Sequence, residues 1–322
     1  MSVTDRTGWP AKGTPPVEDL GHDVFSIDTR MSGYDGITAA YLIRSERPCL
    51  VETGTARSAP TVRAALTGLG IGADDLATIV VTHIHLDHAG GVGDLAAAYP
   101  RAQIVVHERG ARHLVDPAKL VDSARRVFGA AMDTVFGELV PTPAARVSTV
   151  GDSGSVDLGG GRRLDSYYSP GHAQHHIGLV DSSTGDLFVG DAAGIYISEI
   201  DLVRAATPPP DFDLETSLAS LDRFAELQPS RLLFSHFGPV SAVGDVLARS
   251  KEELRLWVEQ VREVRPGAAD LDHAVALLRA RTAERYAALY ANASLDERFE
   301  VLSSIEANIS GISRYLDRNA AG

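Results

Sequence analysis

Cysteine is almost absent from this 322-residue chain, which holds one, Cys49. A lone thiol cannot close an internal disulfide. That excludes a disulfide-stapled secreted scaffold and is what a reducing cytoplasm would lead one to expect. Cys49 follows Pro48 and precedes Leu50 and Val51, so it reads as a buried strand residue rather than a reactive one. Long apolar runs are missing too: none approaches the roughly 18 residues a membrane-spanning helix needs. The opening Met1-Ser2-Val3-Thr4-Asp5-Arg6 has neither the basic nor the apolar region of a secretory leader. Basic runs of five or more are also lacking, and 30 Lys and Arg against 43 Asp and Glu leave a net charge of −13. Surplus negative charge repels phosphate backbones and anionic membranes. Neither nucleic acid nor a membrane is therefore an expected partner, while the charge says little about a small-molecule substrate.

What is present is an ordinary globular composition, 44% hydrophobic and 23% charged, with one unusual stretch. His83-Ile84-His85-Leu86-Asp87-His88 packs three imidazoles and a carboxylate into six residues, directly after the strand-like Thr78-Ile79-Val80-Val81-Thr82. Imidazoles this dense each bring polar nitrogens that must be satisfied, so a purely structural use is hard to find. The same pattern returns three times. His172 follows the strand-like Arg163–Tyr167 and a Ser-Pro-Gly turn, Asp191 ends Leu187–Gly190, and His236 ends Leu232–Ser235. Corresponding ends of neighbouring strands converge in space. Imidazole with carboxylate and no thiolate suits zinc, iron or manganese.

In the order His-x-His-x-Asp-His, a later His, an Asp after Gly, and a final His, the chain resembles the metallo-β-lactamase-fold hydrolase superfamily over about residues 20–240, with a ligand set like those of glyoxalase II and lactonases. The resemblance implies an α+β four-layer αββα sandwich with a binuclear site at one edge of the sheets. It implies that His83, His85 and His172 hold a first metal, that Asp87, His88 and His236 hold a second, and that Asp191 bridges them. Two divalent ions, zinc foremost with iron or manganese as alternatives, are the implied cofactors. The implied reaction is attack of a metal-bridging hydroxide on an ester-like bond, a thioester or lactone, with Asp87 and Asp191 in the catalytic set. Glu52 stands where the family often carries Asp in an Asp-Thr-Gly stretch. It is either a supporting group that orients a metal ligand or a partly exposed strand end.

The chain divides into a loose lead-in (1–20), a catalytic domain (21–240) and a C-terminal helical region (241–322). Strands are expected at Val24–Asp28, Thr38–Ile43, Cys49–Glu52 and Gln103–His107, a helix from Pro60 to Gly70, and a hairpin about Gly159-Gly160-Gly161, which no dinucleotide-binding pattern surrounds. Residues 110–145 interrupt the strand–helix rhythm. Phe128, Met132 and Phe136 fall at i, i+4 and i+8 on one helical face, either packing on the core or lining a lid over the site. Arg125-Arg126 and Arg162-Arg163 read as solvated faces. In the C-terminal region Ser294 and Glu297 suggest a capping box ahead of Phe299, Leu302, Ile309, Ile312 and Leu316. These helices would help hold a thioester, wall the pocket or form a homodimer contact.

Beyond the ligands, His175 or His176 could line the pocket, as could Tyr34 from its Gly-flanked loop. Tyr196 lies near Asp191, but its spacing favours packing. His107 reads as structural. Two other reactions fit a similar ligand set: a mononuclear iron persulfide dioxygenase, which would leave the second site empty, and a phosphodiesterase, which the acidic balance opposes.

Overall fold

The structure is a computed structural model that describes residues 13–129 and 132–320. The exposed Val-Glu-Asp of β1 (Val17–Asp19) and short runs rich in apolar and β-branched residues form the first strands: β2 (Val24–Asp28), β3 (Ala39–Ile43), β4 (Cys49–Val51), β5 (Thr78–Val80), β6 (Gln103–His107) and β7 (Val147–Val150). They make a seven-stranded sheet in chain order, antiparallel from β1 to β4 and parallel from β4 to β7. Helices α1 (Ala59–Gly68), α2 (Leu86–Ala89), α3 (Val92–Ala98), α4 (Glu108–Val115) and α5 (Ala118–Phe128) belong to this half. The second half holds β8 (Ser153–Asp157), β9 (Arg163–Tyr168), β10 (Ile177–Asp181), β11 (Leu187–Gly190), the hairpin β12 (Ile195–Ile197) and β13 (Leu202–Arg204), α6 (Leu214–Glu226), β14 (Leu232–Phe234) and β15 (Gly238–Val240). Its sheet runs β15-β14-β11-β10-β9-β8, with β11 and β14 parallel. Five helices follow: α7 (Val243–Val264), α8 (Leu271–Arg281), α9 (Ala287–Tyr290), α10 (Ala293–Leu302) and α11 (Ile305–Ala320).

Side-chain alternation along each strand sorts residues into the layers of the expected αββα sandwich. Ala39, Tyr41 and Ile43 of β3, with Cys49, Val51, Val80 and Val105, face the second sheet and meet Ile177, Leu179, Phe188 and Leu233. The intervening Ala40, Leu42, Leu50, Ile79 and Ile104 face outward onto Val62, Leu66, Val92 and Leu95 of α1 and α3. On the far side Leu187, Val189, Leu232 and Phe234 pack with Leu221 and Phe224 of α6 and with Leu247, Leu254, Trp257 and Val258 of α7. Cys49 lies in the inter-sheet core, where burial pushes its thiol pKa up. No described helix is long and apolar enough to cross a membrane.

Several local expectations are corrected. The lead-in (1–20) is not uniformly loose: Val17–Asp19 pairs with β2, while residues 1–12 lie outside the described ones. Phe128, Met132 and Phe136 do not share one continuous helix. α5 stops at Phe128, Gly129 takes a φ of 53°, and Met132–Phe136 form a separate single-turn π-helix. Arg162 is no solvated residue; its Nε donates to both oxygens of the buried Asp181 at 3.1 Å. The cap of α10 is Asn292, whose Oδ1 accepts from Leu295 N–H at 3.1 Å, rather than Ser294, and Phe299 and Ile309 lie on two helices, α10 and α11.

Candidate metal centre

The strands β5, β11 and β14 each run out toward one edge of the sandwich, and the residues just past their ends gather there. β5 leads to His83, β11 to Asp191 and β14 to His236; the loop between β9 and β10 brings His172. One turn of helix, α2, carries Asp87 and His88 beside His85, its N-cap residue. All seven candidate residues are brought together, in three overlapping groups of potential donors: His83, His85 and His172; His83, His88 and Asp191; and Asp87, His88 and His236.

In the first triplet His85 Nδ1 lies 3.1 Å from His83 Nε2 and 2.9 Å from His172 Nε2. The other nitrogens fix the tautomers. His172 Nδ1–H donates to the Ala206 carbonyl at 2.9 Å. Thr82 Oγ donates to Glu52 Oε1 at 2.5 Å and accepts from His83 Nδ1–H at 3.0 Å. The Nε2 atoms of His83 and His172 therefore keep their lone pairs, and a proton on His85 Nδ1 would satisfy only one of them. A cation satisfies all three: donors 2.0–2.1 Å from a tetrahedral zinc stand about 3.3 Å apart, near the spacing found. Burial, then the neighbouring imidazoles, depresses the pKa of His83 and His85, and burial lowers that of His172, so all three are neutral donors at pH 7.

The second triplet has the opposite electrostatics. Asp87 Oδ2 lies 3.5 Å from His88 Nε2 and 3.4 Å from His236 Nε2, and the two Nε2 atoms are 3.2 Å apart. His236 Nδ1–H donates to the Ile37 carbonyl at 2.8 Å, which again turns an Nε2 lone pair inward. Burial disfavours the charged forms of His88 and His236, but Asp191 and Asp87 outweigh it and raise both pKa values, that of His236 to about 9. The cluster thus calls for positive charge, as protons or as a metal ion. Asp191 stands between the triplets. Its Oδ1 is 3.2 Å from His236 Nε2 and 3.3 Å from His88 Nε2, its Oδ2 is 3.5 Å from His172 Nε2, and the buried Oδ1 has no hydrogen-bond partner. An orphaned buried carboxylate oxygen among imidazole lone pairs fits a divalent cation well.

Glu52 is buried, not a partly exposed strand end, and adopts a left-handed φ of 66°. Its Oε1 lies 3.4 Å from His88 Nδ1 and accepts from Thr82 and Ser235 (3.2 Å), so the longer arm reaches behind His88. His176 emerges as a residue whose place the sequence did not reveal. Its Nε2 accepts from the Asp191 backbone N–H at 3.1 Å, and its Nδ1–H donates to Ser169 Oγ at 2.8 Å. A Cβ on Gly190, which sits at φ 51°, would collide with that Nε2 and with Thr82, so glycine before Asp191 is a steric requirement.

The proposed pocket residues fare unevenly. His175 stacks on His83 with ring centroids 6.2 Å apart, stands 5.7 Å from the His85 ring, and its Nδ1 accepts from Ile84 N–H at 3.4 Å. Tyr196 touches the cluster through its backbone, donating to the His236 carbonyl at 2.5 Å, while its hydroxyl donates outward to Asp201 at 3.0 Å. Tyr34 donates instead to Glu297 at 3.3 Å. Met132 is buried with Met31, Ile37 and Leu86, and Phe128 is 39% exposed with its ring 4.7 Å from Phe136. Core packing accounts for Met132; the described contacts of Phe128 and Tyr34 are with neighbours outside the seven donors, and Tyr196 meets one of them, His236, by its backbone alone.

The family model described as the Metallo-beta-lactamase superfamily matches residues 33–236. The chain belongs to this superfamily. It is 34% identical over 194 residues to the metallo-beta-lactamase fold-containing protein ST1585 of Sulfurisphaera tokodaii, a match covering 58% of this chain and 71% of that protein. The crystal structure of ST1585 superposes with a TM-score of 0.62 at 30% identity, covering 74% of this chain and 87% of the other. The metallo-beta-lactamase family protein TTHA1429 of Thermus thermophilus matches with a TM-score of 0.65 at 22% identity, over 94% of this chain and 96% of its own, so its likeness of fold takes in the C-terminal helices. A hydroxyacylglutathione hydrolase of Synechococcus is 28% identical over 165 residues, half of each chain. Membership in the superfamily and the His/Asp clusters together mark a metal-binding enzyme fold.

Proposed function

We propose that this protein is a binuclear metal-dependent hydrolase of an ester-like bond in a small molecule, and that the bond is a thioester ahead of a lactone. The observation that carries the proposal is the placement of Asp191, whose two oxygens face different donor triplets. His83, His85 and His172 would hold one ion, Asp87, His88 and His236 the other, with Asp191 shared. Zinc suits the all-nitrogen first triplet; iron and manganese suit the carboxylate-bearing second one equally. Two such ions, held by these residues, would supply Lewis acidity that lowers the pKa of water toward about 7 and polarises a substrate carbonyl.

The protein's own residues do the rest. Hydrogen bonds to Ala206, Ile37 and Thr82 orient His172, His236 and His83, and the Glu52 carboxylate stands 3.4 Å behind His88, so four of the five imidazoles are held before substrate arrives. Asp191, its backbone held by His176, would orient the attacking water through Oδ1 or Oδ2 and take up its proton. Asp87 and His85 are the partly exposed members of the cluster and so mark the side from which substrate enters. The partial identity to a hydroxyacylglutathione hydrolase supports a thioester over a lactone. A complete second set of donors favours two ions over the mononuclear iron dioxygenase, and the net charge of −13 argues against a nucleic-acid phosphodiesterase.

A panel of thioesters, lactones, phosphodiesters and persulfides assayed on zinc-, manganese- and iron-loaded protein tests this reading. Thioester or lactone turnover, abolished in a folded Asp191→Asn variant, is the expected result. Oxygen uptake on a persulfide with a single iron, or undiminished turnover in Asp191→Asn, would refute it.

A further inference from the structure

We propose that the C-terminal helices act as a brace for the metal centre, pinning the two backbone carbonyls that orient His172 and His236. The inference rests on reading those two histidines as ligands, and it assigns the helices a positioning role in place of, or beside, contact with substrate. One imidazole of each triplet has its Nδ1–H donated to a main-chain oxygen, that of Ala206 for His172 and that of Ile37 for His236. These carbonyls decide which nitrogen is free to bind a cation and where it points. His83 and His88, by contrast, meet side chains of the sandwich itself, Thr82 and Glu52.

Both carbonyls sit in segments that the helices after residue 242 hold. Next to Ala206, Thr207 donates its N–H at 2.6 Å and its hydroxyl at 2.8 Å to Oδ1 of Asn308 in α11. Both residues are wholly buried. One turn further on, a Cβ at Gly311 would collide with the Thr207 carbonyl, so the helix lies backbone to backbone on this segment. Two residues before Ala206, Arg204 bonds Glu300 of α10 at 2.8 Å, and its guanidinium lies over Trp257 of α7. Near Ile37, α10 reaches the other segment: Arg298 donates to the Asp35 carbonyl at 2.8 Å, and Glu297 accepts from Tyr34. A helix that only covered apolar surface would present an apolar residue at position 308. A buried amide that clasps both donors of one residue specifies a geometry instead.

The decisive comparison sets Asn308→Ala, which removes the clasp, against Asn308→Asp, which retains the Oδ1 acceptor. Leu278→Ala, a cavity in the buried face of α8, controls for general loosening of the helices. Loss of a group that directly holds a metal ligand weakens affinity about 10–100-fold; Asn308 stands one link further out, so about 3–10-fold is expected. Zinc affinity measured by chelator competition should fall by that factor in Asn308→Ala, return in Asn308→Asp and hold in Leu278→Ala. In metal-free protein, 15N-resolved imidazole spectra should show the His172 Nδ1–H tautomer depleted in Asn308→Ala alone. Equal zinc affinity in Asn308→Ala and the parent, or an equal loss in Leu278→Ala, would overturn the proposal. A parent protein that binds no zinc would defeat the functional reading instead, and the metal-free tautomer spectra would still decide the brace: an unchanged His172 signal in Asn308→Ala overturns it.

Discussion

At the scale of single residues, the site depends on groups that hold other groups. His176 is the clearest case, because its Nε2 meets the Asp191 backbone N–H in a fully buried place. His176→Ala leaves that donor and Ser169 Oγ unsatisfied, which should cost about 1–3 kcal/mol in stability per orphaned group. Chemical denaturation of the metal-free variant checks this; an unchanged midpoint would contradict it. The sequence showed two adjacent histidines here, His175 and His176, without distinguishing them. Only the fold reveals that one turns inward to Asp191 while the other stacks on the outer side of His83. Glu52→Gln keeps the length of the side chain but not its charge behind His88, and metal affinity should fall about 10–100-fold. Metal titration reads that out, and an unaltered affinity would remove Glu52 from the site.

Asp28 supplies a pH test away from the candidate metal ligands. Burial raises its pKa from 3.8 to about 6, despite its accepting from the N–H groups of Arg30 (2.9 Å) and Gly36 (2.7 Å). A carboxyl whose folded pKa lies above its unfolded one favours folding when protonated, so its cost to stability is absent below about pH 4 and grows as pH rises through 6. The full cost is on the order of 3 kcal/mol. The stability of the parent relative to Asp28→Asn should therefore decline between pH 4 and pH 7. A difference that stays flat across this window would contradict the assignment.

Among the elements, the strands were legible because alternation and end-of-strand His and Asp residues leave their mark in residue identity. β6 occupies the expected Gln103–His107, and Asp191 and His236 lie just past β11 and β14. The insertion was not legible in the same way. Phe128, Met132 and Phe136 keep a helical spacing, but Gly129 breaks the helix between them, and a period counted across a break has no physical meaning. Nor does spacing tell which arginine finds a buried partner. Arg162 bridges from the start of β9 to Asp181 at the end of β10, and it also bonds the His22 carbonyl at 2.9 Å. Arg162→Ala strands a buried carboxylate and should cost about 3–5 kcal/mol. Arg163→Ala, which loses only an exposed pair with Asp165, should cost at most about 1 kcal/mol. Thermal melts of the two variants check the contrast, and equal shifts would contradict it.

For the whole molecule, the sandwich explains why residues separated by more than 150 positions in the chain share one centre. The first sheet delivers His83 and the α2 residues, the second delivers Asp191 and His236, and the inter-sheet core of Tyr41, Val80, Phe188 and Leu233 fixes the two edges relative to each other. The four motifs in order made this arrangement readable in advance, since strand ends carry their candidate donors as visible residues. The Ala206 and Ile37 carbonyls were invisible, because every residue has one, and only the fold selects which of them meets a histidine. The central claim is that two cations share Asp191. It is tested most directly by titrating metal-free protein with zinc while following bound metal per chain, in the parent and in Asp191→Asn. Two equivalents in the parent, with both sites weakened together in the variant, is the predicted result. A single equivalent in the parent, or a variant that loses one site and leaves the other at full affinity, would contradict it.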